Sequence, residues 1–141
     1  MLGVLLFGFG GIRLYIRCIT YRDKENIEVD EEVLFDLEDA LDRVDGDKEL
    51  LQELIGMFFD SYESEISKIE EAISSKNYPE VNSLSHSIKS ALGNLGAKAA
   101  FNLAYKLELM GKNEDLADAE DTLEKLKEAI EGFKREAESK L

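Results

Sequence analysis

Apolar residues recur every three or four positions through most of this chain, in runs separated by short polar or glycine-containing breaks. From Asp30 onward the spacing predicts helices. Asp30 is placed to cap a short first helix over about 30–44, with Val33, Leu34, Leu37 and Leu41 on its apolar side. Asp45, Gly46 and Asp47 break that run, and Asp47 can cap the next one. A long second helix follows over about 48–75, where Leu51, Leu54, Ile55, Phe58, Phe59, Tyr62, Ile66, Ile69 and Ile73 form one stripe. Pro79 suits the first turn of a third helix, since its missing N–H costs nothing there. That helix runs to about residue 94, and Gly96 marks a turn.

A fourth helix is predicted over 97–110, with Ala100, Leu103, Ala104 and Leu107 inward and Gly111-Lys112-Asn113 closing it. In the last stretch Leu116, Ala119, Leu123, Leu126, Ile130, Phe133 and Ala137 alternate steps of three and four, the spacing of a bundle seam. No strand pattern follows residue 30. Short loops between long amphipathic helices favour antiparallel neighbours. The expected fold is therefore all-α: an antiparallel up-down four-helix bundle with a short additional N-terminal helix.

Residues 1–29 break this pattern. An apolar, glycine-rich start gives way to a stretch carrying Arg13, Arg17, Arg22 and Lys24. The apolar run is shorter than the roughly 20 residues a membrane-crossing helix needs. It also lacks the basic start and small-residue cleavage site of a signal peptide. We expect 1–29 to be a poorly ordered extension and 30–141 to be the helical domain.

Composition narrows the possible functions. With 31 acidic and 17 basic residues among 141, the formal net charge is −14. Such a surface repels phosphate backbones, which argues against nucleic acid as a partner. Cys18 is the single cysteine, so neither an intrachain disulfide nor a thiolate metal cluster is available, and a reducing, cytoplasmic setting fits.

His86 is the single histidine. At about 100° per residue, Val81, Leu84, Ile88, Ala91, Leu92 and Leu95 cluster roughly opposite it. Asn82, Lys89, Ser90 and Gly93 fall within roughly 60° of it. His86 should therefore face away from the core, with an ammonium one turn on and small residues around it. A neutral imidazole is a good nucleophile near neutral pH. A neighbouring cation offsets the charge of an incoming phosphoryl group, and small residues let a partner approach closely. One histidine without clustered ligands cannot fill a metal site. Ser83 and Ser90 lie near His86, but nothing suggests the orienting acid or oxyanion hole of a hydrolase.

The stretch Ser85-His86-Ser87-Ile88-Lys89-Ser90-Ala91-Leu92-Gly93-Asn94-Leu95-Gly96-Ala97 resembles the signature of histidine phosphotransfer (HPt) domains of two-component phosphorelays. The likeness extends to Leu107-Glu108 with Gly111-Lys112, and to an entry helix running from Leu37 to Asp47, and so covers about 30–141. It implies a phosphoryl carrier in which His86 is phosphorylated, Lys89 supports the phosphoryl group and Gly93 belongs to the docking strip. Asn82 and Ser90 would complete that strip, with Tyr78 or Ala97 at its rim. The family's usual glycine after the lysine is Ser90 here.

The implied partners are response-regulator receiver domains or a hybrid histidine kinase, with magnesium held by the receiver and no cofactor in this chain. No nucleotide motif is present, so the chain is not expected to be an enzyme in its own right, and an exposed His86 strip favours a monomer. Two other readings remain open on sequence: a helical adaptor that binds receivers without transfer, and the phosphoacceptor domain of a chemotaxis-type kinase.

Overall fold

Asx side chains decide where three of the helices begin. Asp36 accepts a hydrogen bond from the backbone N–H of Asp39, Asp47 from that of Leu50, and Asn77 from that of Glu80. Each satisfies a donor that the first helical turn leaves unpaired. The computed structural model describes residues 33–141. Among these are five helices: α1 (Leu37–Arg43), α2 (Lys48–Ser74), α3 (Tyr78–Asn94), α4 (Lys98–Lys112) and α5 (Ala119–Lys140). The expectations for residues 1–29, and for Asp30 as a cap, lie outside the described residues.

Each long helix packs on the next in sequence, and α2 meets α5 to close the ring, while α1 leans on α2. This is the all-α four-helix bundle with an added short helix that the periodicity predicts. The core is continuous, with Leu51, Ile69, Val81, Ile88, Leu92, Leu107, Leu126, Ile130 and Phe133 fully buried. The α5 seam is buried from Ala119 to Ala137 at the expected positions. Leu54 departs from the α2 stripe and stands exposed. The Tyr62 hydroxyl donates to the Glu131 carboxylate at 2.6 Å, tying α2 to α5. That bond, together with burial, pushes the phenol up to about 12.

The start of α1 differs from expectation. Residues 33–36 are not helical. Phe35 is buried with its ring 5.3 Å from that of Phe133, and the backbone N–H of Asp36 donates to the Gly96 carbonyl. The N-cap position of α4 is Ala97, whose side chain cannot accept a hydrogen bond. The Val33 carbonyl accepts from Ala99 N–H at 2.8 Å instead, supplying the cap from a remote segment. Hydrophobic spacing cannot distinguish such an extended strap from another helical turn.

Two glycines are required by close approach. Gly96 adopts φ +77, and a Cβ there would meet the Asp36 carbonyl at 2.6 Å. α4 ends inside the expected closing stretch, at Lys112 with Asn113 as its C-cap, and within that stretch Gly111 also has a packing role. It lies inside the helix, buried, where a Cβ would sit 2.6 Å from the backbone nitrogen of Asn82 and 3.0 Å from the Tyr78 carbonyl. The left-handed residue after α4 is Glu114. Gly111 thus lets α4 touch the backbone of α3. Gly111→Ala should destabilise the bundle by about 1–3 kcal/mol through overpacking, read as a lower midpoint of chemical unfolding.

Candidate functional site

The inward side of α3 carries Val81, Ser85, Ile88 and Leu92. The opposite side is open, and the side chain of His86 is 60% exposed. His86 therefore faces solvent, as the helical wheel predicts. Ser90 is exposed beside it. The other three expected site residues turn toward α4. Asn82 Nδ2 donates to the Glu108 carbonyl at 3.0 Å. Gly93 accommodates the Phe101 ring, which would lie 3.1 Å from a Cβ at that position. Lys89 is only 17% exposed, its ammonium 4.9 Å from the centre of the Tyr105 ring and 5.9 Å from that of Phe101. Ala97, expected near a docking rim, is fully buried because it sits in the tight α3–α4 turn.

Glu108 on α4 joins these groups. Its Oε2 lies 2.9 Å from His86 Nδ1, and its Oε1 lies 2.7 Å from Lys89 Nζ. Oε1 is buried, and the Lys89 ammonium reaches it as an ion pair. Burial pushes the Glu108 carboxyl up, but the Lys89 and His86 contacts outweigh it and hold the group below the ordinary carboxylate range. Because the folded carboxyl titrates below the unfolded one, the cluster contributes stability at neutral pH. That contribution is lost as pH falls through the folded group's titration.

An ionised carboxylate accepts hydrogen bonds and does not donate them. The Nδ1 contact therefore favours the ring tautomer with its proton on Nδ1, leaving the lone pair on Nε2 of an exposed ring. The site can present a neutral, oriented imidazole nucleophile to a reactant arriving from outside.

The sequence reading assigned no role to Glu108, Tyr105 or Phe101. Their spacing of four and three residues places them on one face of α4, beside the buried Ala104 and Leu107. That regularity was visible, but the register of α4 against α3 that brings Glu108 under His86 was not. Ser85 was also missed: it is fully buried, and its hydroxyl has no hydrogen-bond partner among the described residues.

Among the described residues, no group of three histidine, cysteine, aspartate or glutamate side chains could hold a metal ion. No described helix is long and apolar enough to cross a membrane. No curated protein and no solved structure gives a significant match to the chain. A family model described as "Hpt domain" matches residues 53–136, an interval running from α2 into α5 and containing His86, Lys89 and Glu108. With more than half of its length matched, the chain belongs to the Hpt family, the histidine phosphotransfer domains of phosphorelays.

Proposed function

We propose that this chain takes a phosphoryl group from the phospho-aspartate of one receiver domain onto His86 Nε2 and passes it to the aspartate of another. The observation that carries the reading is the pairing of an exposed His86 ring with a carboxylate on Nδ1. That arrangement supports an Nε2 nucleophile, which must be reachable because its reactant sits in another protein's active site. Most of the transition-state charge stabilisation, including magnesium, belongs to the receiver. This chain contributes a positioned nucleophile. It acts as a carrier and not as an enzyme with its own nucleotide site. We place it in the cytoplasm with its receivers, and as a monomer, since self-association across α3 would cover His86.

The receiver would lie over α3 and α2. Going round α3 from His86 toward α2, the surface passes Ser90, Asn94 and Ser87 and then Ala91. It ends in a groove where Ala91, Asn94 and Leu95 face Leu54 and Met57 of α2. Met57 is the most exposed large hydrophobic side chain described, at 65%. Continuity with the His86 face makes this groove the apolar part of the same footprint. Met57→Glu should weaken receiver-dependent transfer about 10-fold or more, as loss of a central apolar contact does. Loading of His86 by a small phosphodonor should be unchanged, which separates docking from chemistry.

The function is tested by incubating the chain with a phosphorylated receiver and following label that is acid-labile and base-stable. Transfer that disappears in His86→Gln supports the carrier. Binding without label favours an adaptor, and label that forms only with an ATP-bound kinase domain favours the phosphoacceptor domain of a chemotaxis-type kinase.

A further inference from the structure

The fold gives a reason for five of the six described glycines. Gly46 and Gly96 adopt positive φ, and a Cβ at Gly93, Gly111 or Gly132 would lie 3.1 Å or less from a neighbouring residue. Gly56 is the exception. It is exposed inside the 27-residue α2, and a Cβ there would meet nothing within 4 Å. A glycine inside a helix weakens it, because the unfolded backbone gains freedom there. Nothing in the bundle needs the space that this glycine leaves.

We infer that the groove beside Gly56 is a second docking surface, and that it takes a basic amphipathic helix of a partner protein. This goes beyond phosphoryl transfer and does not rest on it.

Gly56 lies on the side of α2 that faces α5, in a groove of about 370 Å³. Ile55 and Phe59 of α2 and Ala137 of α5 give it an apolar floor, and Gln52, Asp60, Lys134 and Glu138 stand around the rim. No residue of α3 or α4 lines it, so an occupant leaves His86 open. A helix laid in such a groove inserts side chains from one apolar face, and a glycine beneath it permits the closest approach.

Charge selects the occupant. α2 carries seven acidic and two basic residues, and α5 seven acidic and five basic, a combined net charge of −7. α3 and α4 together carry two acidic and four basic residues, a net charge of +2. The groove thus runs between the two acidic helices. Asp60 and Glu138, on opposite walls, make no ion pair among the described residues and are left for a cationic partner. Lys134, the one basic group on the rim, lies over the Phe59 ring, 5.5 Å from its centre. A second copy of this chain would set the same acidic walls against each other, which like-charge repulsion opposes.

The probe is a synthetic leucine–lysine peptide of about 18 residues with its leucines on one helical face. Titrated into the full ¹⁵N-labelled chain, it should shift the amide signals of residues 52–60 and 134–138 first. The same composition with its leucines scattered should bind about 10-fold more weakly or worse, and so should the ordered peptide on Gly56→Leu, whose side chain fills the groove. Glu138→Lys should weaken binding, and Lys134→Glu should tighten it. Equal binding by the scattered peptide, or shifts centred on Met57 and His86, overturns the inference. So do shifts at the groove that grow with chain concentration when no peptide is present, which identify a second copy as the occupant.

Two readouts need no peptide. Gly56→Ala should raise the midpoint of chemical unfolding, opposite in sign to Gly111→Ala. A lower midpoint would show that the bundle itself requires the glycine, and the inference falls. Gly56→Leu should accept a phosphoryl group from the small donor phosphoramidate at the unmodified rate, and a slower rate would tie Gly56 to the His86 face and remove the case for a separate surface. A chain that binds the ordered peptide at the groove but takes no phosphoryl group keeps this inference and loses the carrier reading.

Discussion

His86→Gln should abolish phosphoryl labelling completely while leaving the bundle folded. The ring is on the solvent side of α3 and contributes nothing to the core, so its removal opens no cavity. A glutamine amide can still donate to the Glu108 carboxylate that now receives His86 Nδ1. Surface replacements of this kind shift stability by about 0.5 kcal/mol or less. The thermal midpoint should therefore stay nearly the same while ³¹P signal and acid-labile label vanish. Residual label of the same chemical stability in His86→Gln would show that the acceptor lies elsewhere in the chain.

Leu92→Ala should have the opposite profile. Leu92 is fully buried on the inward side of the same helix, and its carbonyl also accepts from the backbone N–H groups of Leu95 and Ala97 in the turn into α4. Truncation leaves a cavity that the flanking helices fill only in part, at a cost of about 2–5 kcal/mol. Against a total stability of about 5–15 kcal/mol for a domain, that is a large share. The denaturant midpoint should fall with the slope unchanged, and the protein that remains folded should still accept a phosphoryl group. A loss of acceptor activity in fully folded Leu92→Ala would mean that the core position also shapes the His86 face.

These two residues, six positions apart, show what was legible before the fold was known. The helical period alone separates the solvent-facing His86 side of α3 from its packing side, and it also places the four long helices and the α5 seam. Asp47 could be named as a cap because its signal is local. What was not legible depends on contacts between distant segments. Gly111 reads only as part of the stretch that closes α4, but the neighbouring backbone of α3 is what requires a glycine there. Ala97 reads as surface, but a tight turn buries it. Glu108 stands in a recognisable dipeptide, but its work comes from the lateral fit of α4 against α3, which spacing within one helix cannot reveal. The same fit explains why Asn82, Lys89 and Gly93, grouped with His86 by angle, face the neighbouring helix instead of the open strip.

The strap over residues 33–36 bears on where this domain can be cut. The family match begins at residue 53, yet the N-terminal turn of α4 receives its cap from the Val33 carbonyl, and Phe35 fills space against Phe133. A recombinant fragment trimmed to the matched interval would open an apolar gap at one pole of the bundle and fray the helix that carries Glu108. The smallest piece able to keep the His86 face intact therefore has to include Val33, well before the region by which the family is recognised.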